Sequence, residues 1–168
     1  MTQNMLSASL KTCHWGYFDA KLPPAMTISS GDEVVINTIS GGPQNLPGAG
    51  FYVPQELLDL HAAGLPTMPG HILTGPVAVQ GAMPGDVLQI NILNVSLRQD
   101  WGFNYLGPLT GTLPQDFPNM HHTIIPLDTE RGIATLPWGL ELKLAPFCLL
   151  YTSPSPRDLS TSRMPSSA

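Results

Sequence analysis

Glycine and proline interrupt this sequence along its whole length, and no other feature limits its possible folds as strongly. The 168 residues include 16 glycines and 18 prolines, about twice the roughly 12% that these two types usually contribute together. Both disfavour the interior of a helix, and both are common in turns. Because they separate short apolar runs, we predict a mainly β fold: a β-sandwich of short strands and hairpins with a minor helical element.

Two passages share one pattern. Residues 26–39 and residues 77–93 each contain an apolar run, a Gly-Asp pair and a second apolar run. An aspartate in such a turn usually accepts hydrogen bonds from neighbouring backbone N–H groups. We therefore predict two similar hairpins, whose turns are held by Asp32 and Asp86.

The second apolar run of the later passage alternates regularly. Leu88, Ile90 and Ile92 alternate with Gln89 and Asn91, and a period of two is typical of a strand with one buried face. This pattern predicts a strand directly after the Gly-Asp turn.

The remaining elements are predicted from shorter signals. Residues 54–64 predict the helical element, because a proline stands at its start and a glycine at its end. Apolar runs predict strands at residues 123–125 and 133–136. Leucines alternate with glutamate and lysine across residues 140–144, which indicates an amphipathic strand.

Charged residues are scarce. They make up 11% of the chain, against about a quarter in typical soluble domains. A self-contained domain needs a solvated surface, so we expect the remainder of the fold or another subunit to cover much of this one.

The net charge excludes one class of function. The chain carries a net charge of −5 and has no basic stripe, which argues against nucleic-acid binding. No apolar run approaches the roughly 20 residues of a membrane-spanning helix, and no secretion signal is recognisable. The two cysteines, Cys13 and Cys148, do not make a disulfide framework, so we expect a cytoplasmic protein.

The composition changes at Cys148. The 21 residues 148–168 include six serines, two threonines and three prolines. Residues 153–157 offer no apolar face to bury, and a natural Ser/Pro tail is the alternative interpretation. The stretch also resembles translated adapter sequence from environmental sequencing. We therefore expect one incomplete domain at residues 1–147 and a disordered, non-native tail at residues 148–168.

Four groups of residues, in order, carry a resemblance to a known family. They are residues 14–19 with 22–24 and 30–32, residues 71–77 with 81–88, residues 100–104 with 113–118, and residues 144–147. Together they make residues 12–147 resemble the acetamidase/formamidase family.

The resemblance implies an enzyme that hydrolyses short linear amides, such as formamide or acetamide, to a carboxylate and ammonia. It further implies a β-sandwich fold, a divalent metal ion (zinc or calcium) and a homo-oligomer at full length. Similar proteins continue well past residue 147, and most candidate metal ligands lie in that later part. We therefore expect this chain to be an amino-terminal portion that is inactive by itself.

Three residues are the candidates for the site. His71 is predicted as a metal ligand and catalytic residue, because it precedes Thr-Gly-Pro in the matching motif, although it would alternatively hydrogen-bond a turn. His14 is a second candidate metal ligand, with a packed core histidine as the alternative. Asp100 precedes Trp-Gly-Phe-Asn in the third group, where it would act on the substrate amide or bind the metal.

The other histidines are weaker candidates for metal ligands. Adjacent residues of a strand point to opposite faces, so Cys13 and His14 cannot easily share an ion, and the same holds for His121 and His122. His61 is interpreted as a solvated or capping residue near the end of the helix.

Two other classes of function remain as alternatives. The first is a non-catalytic β-sandwich module that binds a small ligand, because fold resemblance alone does not establish catalysis. A cupin-type metal oxygenase ranks lower, since the sequence has no His-x-His pair. No Gly-x-Ser-x-Gly elbow indicates serine catalysis.

Overall fold

The computed structural model describes residues 4–19, 21–64 and 70–146. These residues belong to two compact units. Within the described ranges, unit 1 draws on residues between 4 and 46 and between 53 and 94, and unit 2 on residues 47–52 and 95–146. The described residues form ten short strands and one α-helix, which confirms the mainly β prediction and its minor helical element.

Unit 1 contains three two-stranded sheets. Two are parallel and one is antiparallel, and every strand is three residues long. The strands are β1 (Asn4–Leu6), β2 (Cys13–Trp15), β3 (Met26–Ile28), β4 (Val34–Ile36), β5 (Ile72–Thr74) and β6 (Val77–Val79). β1 pairs with β4 and β3 with β6 in parallel, whereas β2 pairs with β5 in antiparallel orientation.

The helix α1 spans Gln55–Ala62, which confirms the prediction for residues 54–64. Pro54 is the N-cap residue rather than the first helical residue. Gly64 ends the helix with a positive φ of 57°, a conformation that glycine adopts without steric cost. One turn of 3-10 helix precedes α1 at Pro43–Asn45.

The buried face of α1 forms the centre of the unit 1 core. Leu57 and Leu60 are 0% and 2% exposed, and burial of each leucine contributes about 1.5–3 kcal/mol. The other buried members of this cluster are Ala8, Cys13, Ile39 and Ile72. The core thus joins the helix to the β2–β5 sheet.

The two Gly-Asp turns have the predicted geometry. Asp32 Oδ2 accepts a hydrogen bond from the backbone N of Ser29 at 2.9 Å. In the same way, Asp86 Oδ2 accepts one from the backbone N of Met83 at 2.8 Å. The predicted structural role of both aspartates is therefore confirmed.

The prediction that these turns close hairpins is wrong. β3 pairs not with β4 but with β6, the first strand of the other passage, in the register Met26↔Val77 to Ile28↔Val79. β4 pairs with β1 instead. An aspartate-held turn reverses the chain locally, but it does not specify which strand takes the neighbouring ladder position, because that pairing is non-local.

The prediction of a strand directly after the second turn is also wrong. Residues 87–94 carry no strand pairing in the described part of the chain, and Val87, Ile90 and Leu93 are 95%, 75% and 72% exposed. The alternating pattern specifies which side chains would share a face, but a strand also needs a partner for its ladder hydrogen bonds.

Unit 2 contains one four-stranded antiparallel sheet. Its strands are β7 (Trp101–Leu106), β8 (His121–Asp128), β9 (Ile133–Thr135) and β10 (Glu141–Lys143), in the order β10-β9-β8-β7. The strands predicted at residues 123–125, 133–136 and 140–144 are therefore confirmed.

Trp101 is the main buried side chain of unit 2. It is 1% exposed, and its indole Nε1 donates to the carbonyl oxygen of Tyr52 at 2.8 Å. This bond satisfies the polar end of a buried indole, as burial of tryptophan requires. At the other side of the sheet, Arg131 and Glu141 form an exposed ion pair of 3.2 Å, a type that contributes at most about 1 kcal/mol.

Within the described ranges, no helix has the length and apolar character needed to cross a bilayer. Residues 148–168 lie outside those ranges, so the non-native tail stays a prediction.

Candidate functional site

His14 and His71 lie on one face of the β2–β5 sheet. β2 and β5 pair in the register Trp15↔Ile72 and His14↔Leu73, and the ladder continues with a 2.9 Å bond from the backbone N of Gly16 to the carbonyl oxygen of His71. Side chains alternate between faces along a strand. Trp15 and Ile72 face the core, so the two histidines share the opposite face.

The same alternation confirms the prediction for the neighbouring cysteine. Cys13 is buried in the core, whereas His14 is half-buried on the outer face. The two side chains therefore do not face a common ion.

The ring of His14 is held at one end. Its Nε2 lies 3.1 Å from the carbonyl oxygen of Tyr17, and the two rings are 5.3 Å apart. A carbonyl oxygen only accepts, so Nε2 carries the proton. In the neutral ring, Nδ1 then presents a lone pair, and a histidine held to a carbonyl in this way is typical of metal ligands.

His71 is exposed, and its ring has no hydrogen-bond partner among the described residues. The backbone before it is tightly placed. A Cβ added at Gly70 would lie 3.0 Å from the Cα of Gly16, and Gly70 has a φ of 140°. Its carbonyl oxygen also accepts from Nε1 of Trp15 at 3.0 Å. Glycine at this position therefore permits the close approach that places His71 beside the end of β2.

Asp100 belongs to unit 2, and its carboxylate is used by the backbone. Oδ1 accepts a hydrogen bond from the backbone N of Tyr52 at 3.0 Å, and its carbonyl oxygen accepts from the backbone N of Leu127 at 2.7 Å. Asp100 thus attaches the segment around Tyr52 to the start of β7. The catalytic role of Asp100 stays a prediction beside this structural one.

The interpretation of His61 as a solvated or capping residue is wrong. His61 is part-buried, its Nε2 lies 3.0 Å from the carbonyl oxygen of Gly41, and its Nδ1 is buried without a hydrogen-bond partner in the described part. His61 follows Leu57 by four residues, which places both on the buried face of α1. The spacing of four residues from Leu57 is the sequence signal that predicts a buried position for His61.

His121 and His122 are both exposed on β8. Their adjacent places in a regular strand put them on opposite faces, as predicted. The ring of His122 lies 6.1 Å from that of Phe103, a packing contact.

The described residues satisfy only part of a metal site. No group of three or more histidine, cysteine, aspartate or glutamate side chains in the described ranges is arranged to hold an ion. His14 and His71 would supply two ligands, whereas a zinc site usually takes about four, including water. The divalent ion that the resemblance implies therefore does not fit the described residues alone.

An open groove on unit 1 lies elsewhere. It is lined by Ala8, Ser9, Leu10, Lys11, Glu56 and Asp59. None of the predicted site residues lines this groove, so the shared face of His14 and His71 remains the candidate site.

Comparison with known proteins agrees with the resemblance seen in the sequence. The profile of the acetamidase/formamidase family matches residues 5–148. A formamidase of Methylophilus methylotrophus is 42% identical over 59 residues, which cover 32% of this chain and 14% of that protein.

A solved structure shares the fold. The acetamidase of Bacillus halodurans superposes with a TM-score of 0.55 at 19% sequence identity, over 83% of this chain and 42% of that one. At this identity the likeness concerns the fold alone. The chain spans less than half the length of that acetamidase.

Proposed function

Because the chain belongs to the acetamidase/formamidase family, we propose that it contributes to hydrolysis of a short linear amide, such as formamide or acetamide. The observation that carries this proposal is the family match over residues 5–148. In the reaction, the oxygen of water bonds to the amide carbon and the C–N bond breaks. Both protons of this water pass to the leaving nitrogen. The products are therefore a carboxylate and ammonia in its protonated form, ammonium.

His71 is the residue to which we assign the acid–base role. Attack on an amide needs a water molecule that loses a proton and a leaving nitrogen that gains one. A neutral imidazole does both in turn, and the ring of His71 is exposed with no hydrogen-bond partner among the described residues. Within the described residues nothing occupies this ring, and we assign it to accept the proton from water and to return it to the leaving nitrogen.

His14 is proposed as the second member of the site. It lies on the same face as His71, and its bond to the carbonyl of Tyr17 leaves Nδ1 as the free ring nitrogen. That nitrogen would position water or substrate next to His71.

The proposal also includes a divalent ion, although the roles given above to His71 and His14 do not depend on it. When bound, such an ion polarises a carbonyl group and acidifies water. His14 would hold it through Nδ1, with the other ligands supplied from outside the described residues, so that the ring of His71 keeps its acid–base role. An imidazole ligand favours zinc over calcium, because calcium prefers oxygen ligands.

The extent of the chain limits what it does alone. It covers 42% of the length of the Bacillus halodurans acetamidase, so the remaining ligands and substrate contacts would come from family sequence beyond the present match. We propose that the complete enzyme is a cytoplasmic homo-oligomer, and that this portion alone is inactive.

A non-catalytic binding module is the second candidate. It is favoured by the carboxylate of Asp100, which the backbone of Tyr52 already uses, and by the absence of a third ligand from the described residues. Such a module would hold a small amide without hydrolysing it.

Ammonia release distinguishes the two candidates. Formamide and acetamide are supplied to this chain and to the product of its uninterrupted reading frame, with and without added zinc. We expect ammonia from the longer product, loss of about 100-fold or more in His71→Ala, and no change in the exposed control His121→Ala. Amide binding without ammonia release would support the binding module, and full activity in His71→Ala would refute the role of His71.

A further inference from the structure

Trp15 reaches from the end of β2 to the backbone that carries His71. Its indole Nε1 donates to the carbonyl oxygen of Gly70, directly before His71, at 3.0 Å. The backbone N of the next residue, Gly16, donates to the carbonyl oxygen of His71 at 2.9 Å. Two consecutive residues at the end of β2 therefore hold the peptide groups on both sides of His71.

The placement of the His71 ring depends on this backbone. The ring is exposed and has no hydrogen-bond partner among the described residues, so no bond of its own orients it. A group that transfers a proton must nevertheless be placed to within a fraction of an ångström. The bonds to the two flanking carbonyl groups supply that placement.

Gly70 allows the indole bond to form. A Cβ added at Gly70 would lie 3.0 Å from the Cα of Gly16, and the φ of Gly70 is 140°, a conformation that other residues rarely adopt. The chain therefore comes within reach of the Trp15 N–H group because this position is glycine.

The indole ring of Trp15 is fixed on its other side. It packs against the core of unit 1, and the ring of His61 lies 6.3 Å from it at a tilt of 42°. The Nε2 of His61 lies in turn 3.0 Å from the carbonyl oxygen of Gly41. A packed ring has already lost most of its rotational freedom, so its N–H group stays directed at Gly70.

We propose that Trp15 is a positioning residue, whose indole N–H group places His71 for proton transfer. This inference rests on the acid–base role proposed for His71. Trp15 acts through the carbonyl group of Gly70 and not on the substrate. Its N–H group is the part that matters, because a phenylalanine would retain much of the packing but lacks the donor.

The first test needs no variant. Exchange of the indole Nε1 protons with solvent is measured by NMR on the full chain. The Trp15 proton should exchange at least about 10-fold more slowly than that of Trp138, which is 74% exposed and has no bond to its indole among the described residues. Equal exchange at the two indoles would overturn the proposal.

The second test removes the donor in the full chain. In Trp15→Phe, the NMR order parameter of the His71 amide should fall from about 0.85 to below about 0.6. Trp138→Phe, the matched control, makes the same chemical change without loss of a bond and should leave it near 0.85. A purely structural role for Trp15 would lower the melting temperature and leave this order parameter unchanged, and that result would refute positioning.

Gly70→Ala provides the same test if Trp15→Phe does not fold. Gly70 is exposed, so its substitution does not touch the core. The added Cβ should push Gly70 away from Gly16 and lengthen the indole bond, which should again mobilise the His71 amide. An unchanged His71 amide in Gly70→Ala would contradict the proposal.

Kinetics of the product of the uninterrupted reading frame connect placement with catalysis. Trp15→Phe should lower kcat about 10- to 100-fold and leave KM within about twofold, because proton transfer occurs only in the transition state. Trp138→Phe should alter neither value. An unchanged kcat in Trp15→Phe would overturn the positioning role alone. Absence of ammonia release from the wild-type product would instead refute the proposed function, and the two NMR tests would still decide whether Trp15 places His71.

Discussion

The two Gly-Asp passages begin alike and end differently. Their turns are held by the same bond from an aspartate Oδ2 to a backbone N three residues earlier, and their first strands, β3 and β6, lie side by side. After the first turn the chain forms β4 and then buries Ile39, which is 5% exposed. After the second turn, residues 87–94 form no strand, and their apolar side chains are exposed.

The difference lies in what each second run meets. β4 has β1 as a neighbour, paired from Asn4↔Val34 to Leu6↔Ile36, and the backbone N of Asn37 extends the contact to the carbonyl oxygen of Leu6 at 2.9 Å. Residues 87–94 have no such neighbour among the described residues. A turn is therefore determined by its own residues, whereas a strand is determined jointly with its partner.

The largest expected effect comes from the strand that supports the first passage. Leu6 is 3% exposed, so Leu6→Ala should lower the free energy of unfolding by about 2–5 kcal/mol. Urea denaturation measures the change. Increased hydrogen exchange at the β4 amides would show that the first passage then behaves like the second, and unchanged exchange there would contradict the assigned role of β1.

The glycines of the two turns should have a smaller and equal effect. Gly31 and Gly85 have φ values of 89° and 104°, and nothing lies within 4 Å of a Cβ added at either. Gly31→Ala and Gly85→Ala should each cost about 1–2 kcal/mol, purely from backbone strain. Thermal unfolding measures both, and a cost at one position only would show that the turns are not equivalent.

The aspartates come next. Asp32→Ala and Asp86→Ala each remove one hydrogen bond from an exposed turn, so each should cost about 0.5–1.5 kcal/mol. Hydrogen exchange at the Ser29 amide should rise in Asp32→Ala only, and exchange at the Met83 amide should rise in Asp86→Ala only. The conservative variants Asp32→Asn and Asp86→Asn should recover part of the loss, since an amide oxygen also accepts.

The smallest effect is expected in the exposed run. Leu88 is 61% exposed, so Leu88→Ala should change the stability of the dilute chain by less than about 0.5 kcal/mol, in contrast to Leu6→Ala. A loss of several kcal/mol in the dilute chain would show that Leu88 is buried and that the two passages are more alike than described.

Local patterns of the sequence predicted the local structure well. The helix at residues 54–64, the aspartate-held turns, and the opposite faces of Cys13 and His14 all follow from periodicity or capping over a few residues. The strand pairings cannot be predicted from these local patterns. Nothing near Met26 in the sequence indicates that its partner is Val77, since the pairing spans some fifty residues.

The candidate site shows the same division. The histidines were recognisable as candidates from their motifs, but the register of β2 against β5 puts His14 and His71 on one face. The place of His61 near the helix end predicts a solvated or capping residue, whereas the packing of α1 places its ring against Gly41 and Trp15.

The sequence by itself determined the fold class, the family, the turns and the positions of most strands, because glycine, proline, aspartate and alternating apolar residues act over short distances. Only the tertiary structure decided which strands pair, which histidines share a face, and which apolar run remains uncovered. The physical reason is that strand hydrogen bonds and side-chain burial need a partner, and that partner lies far away in the chain.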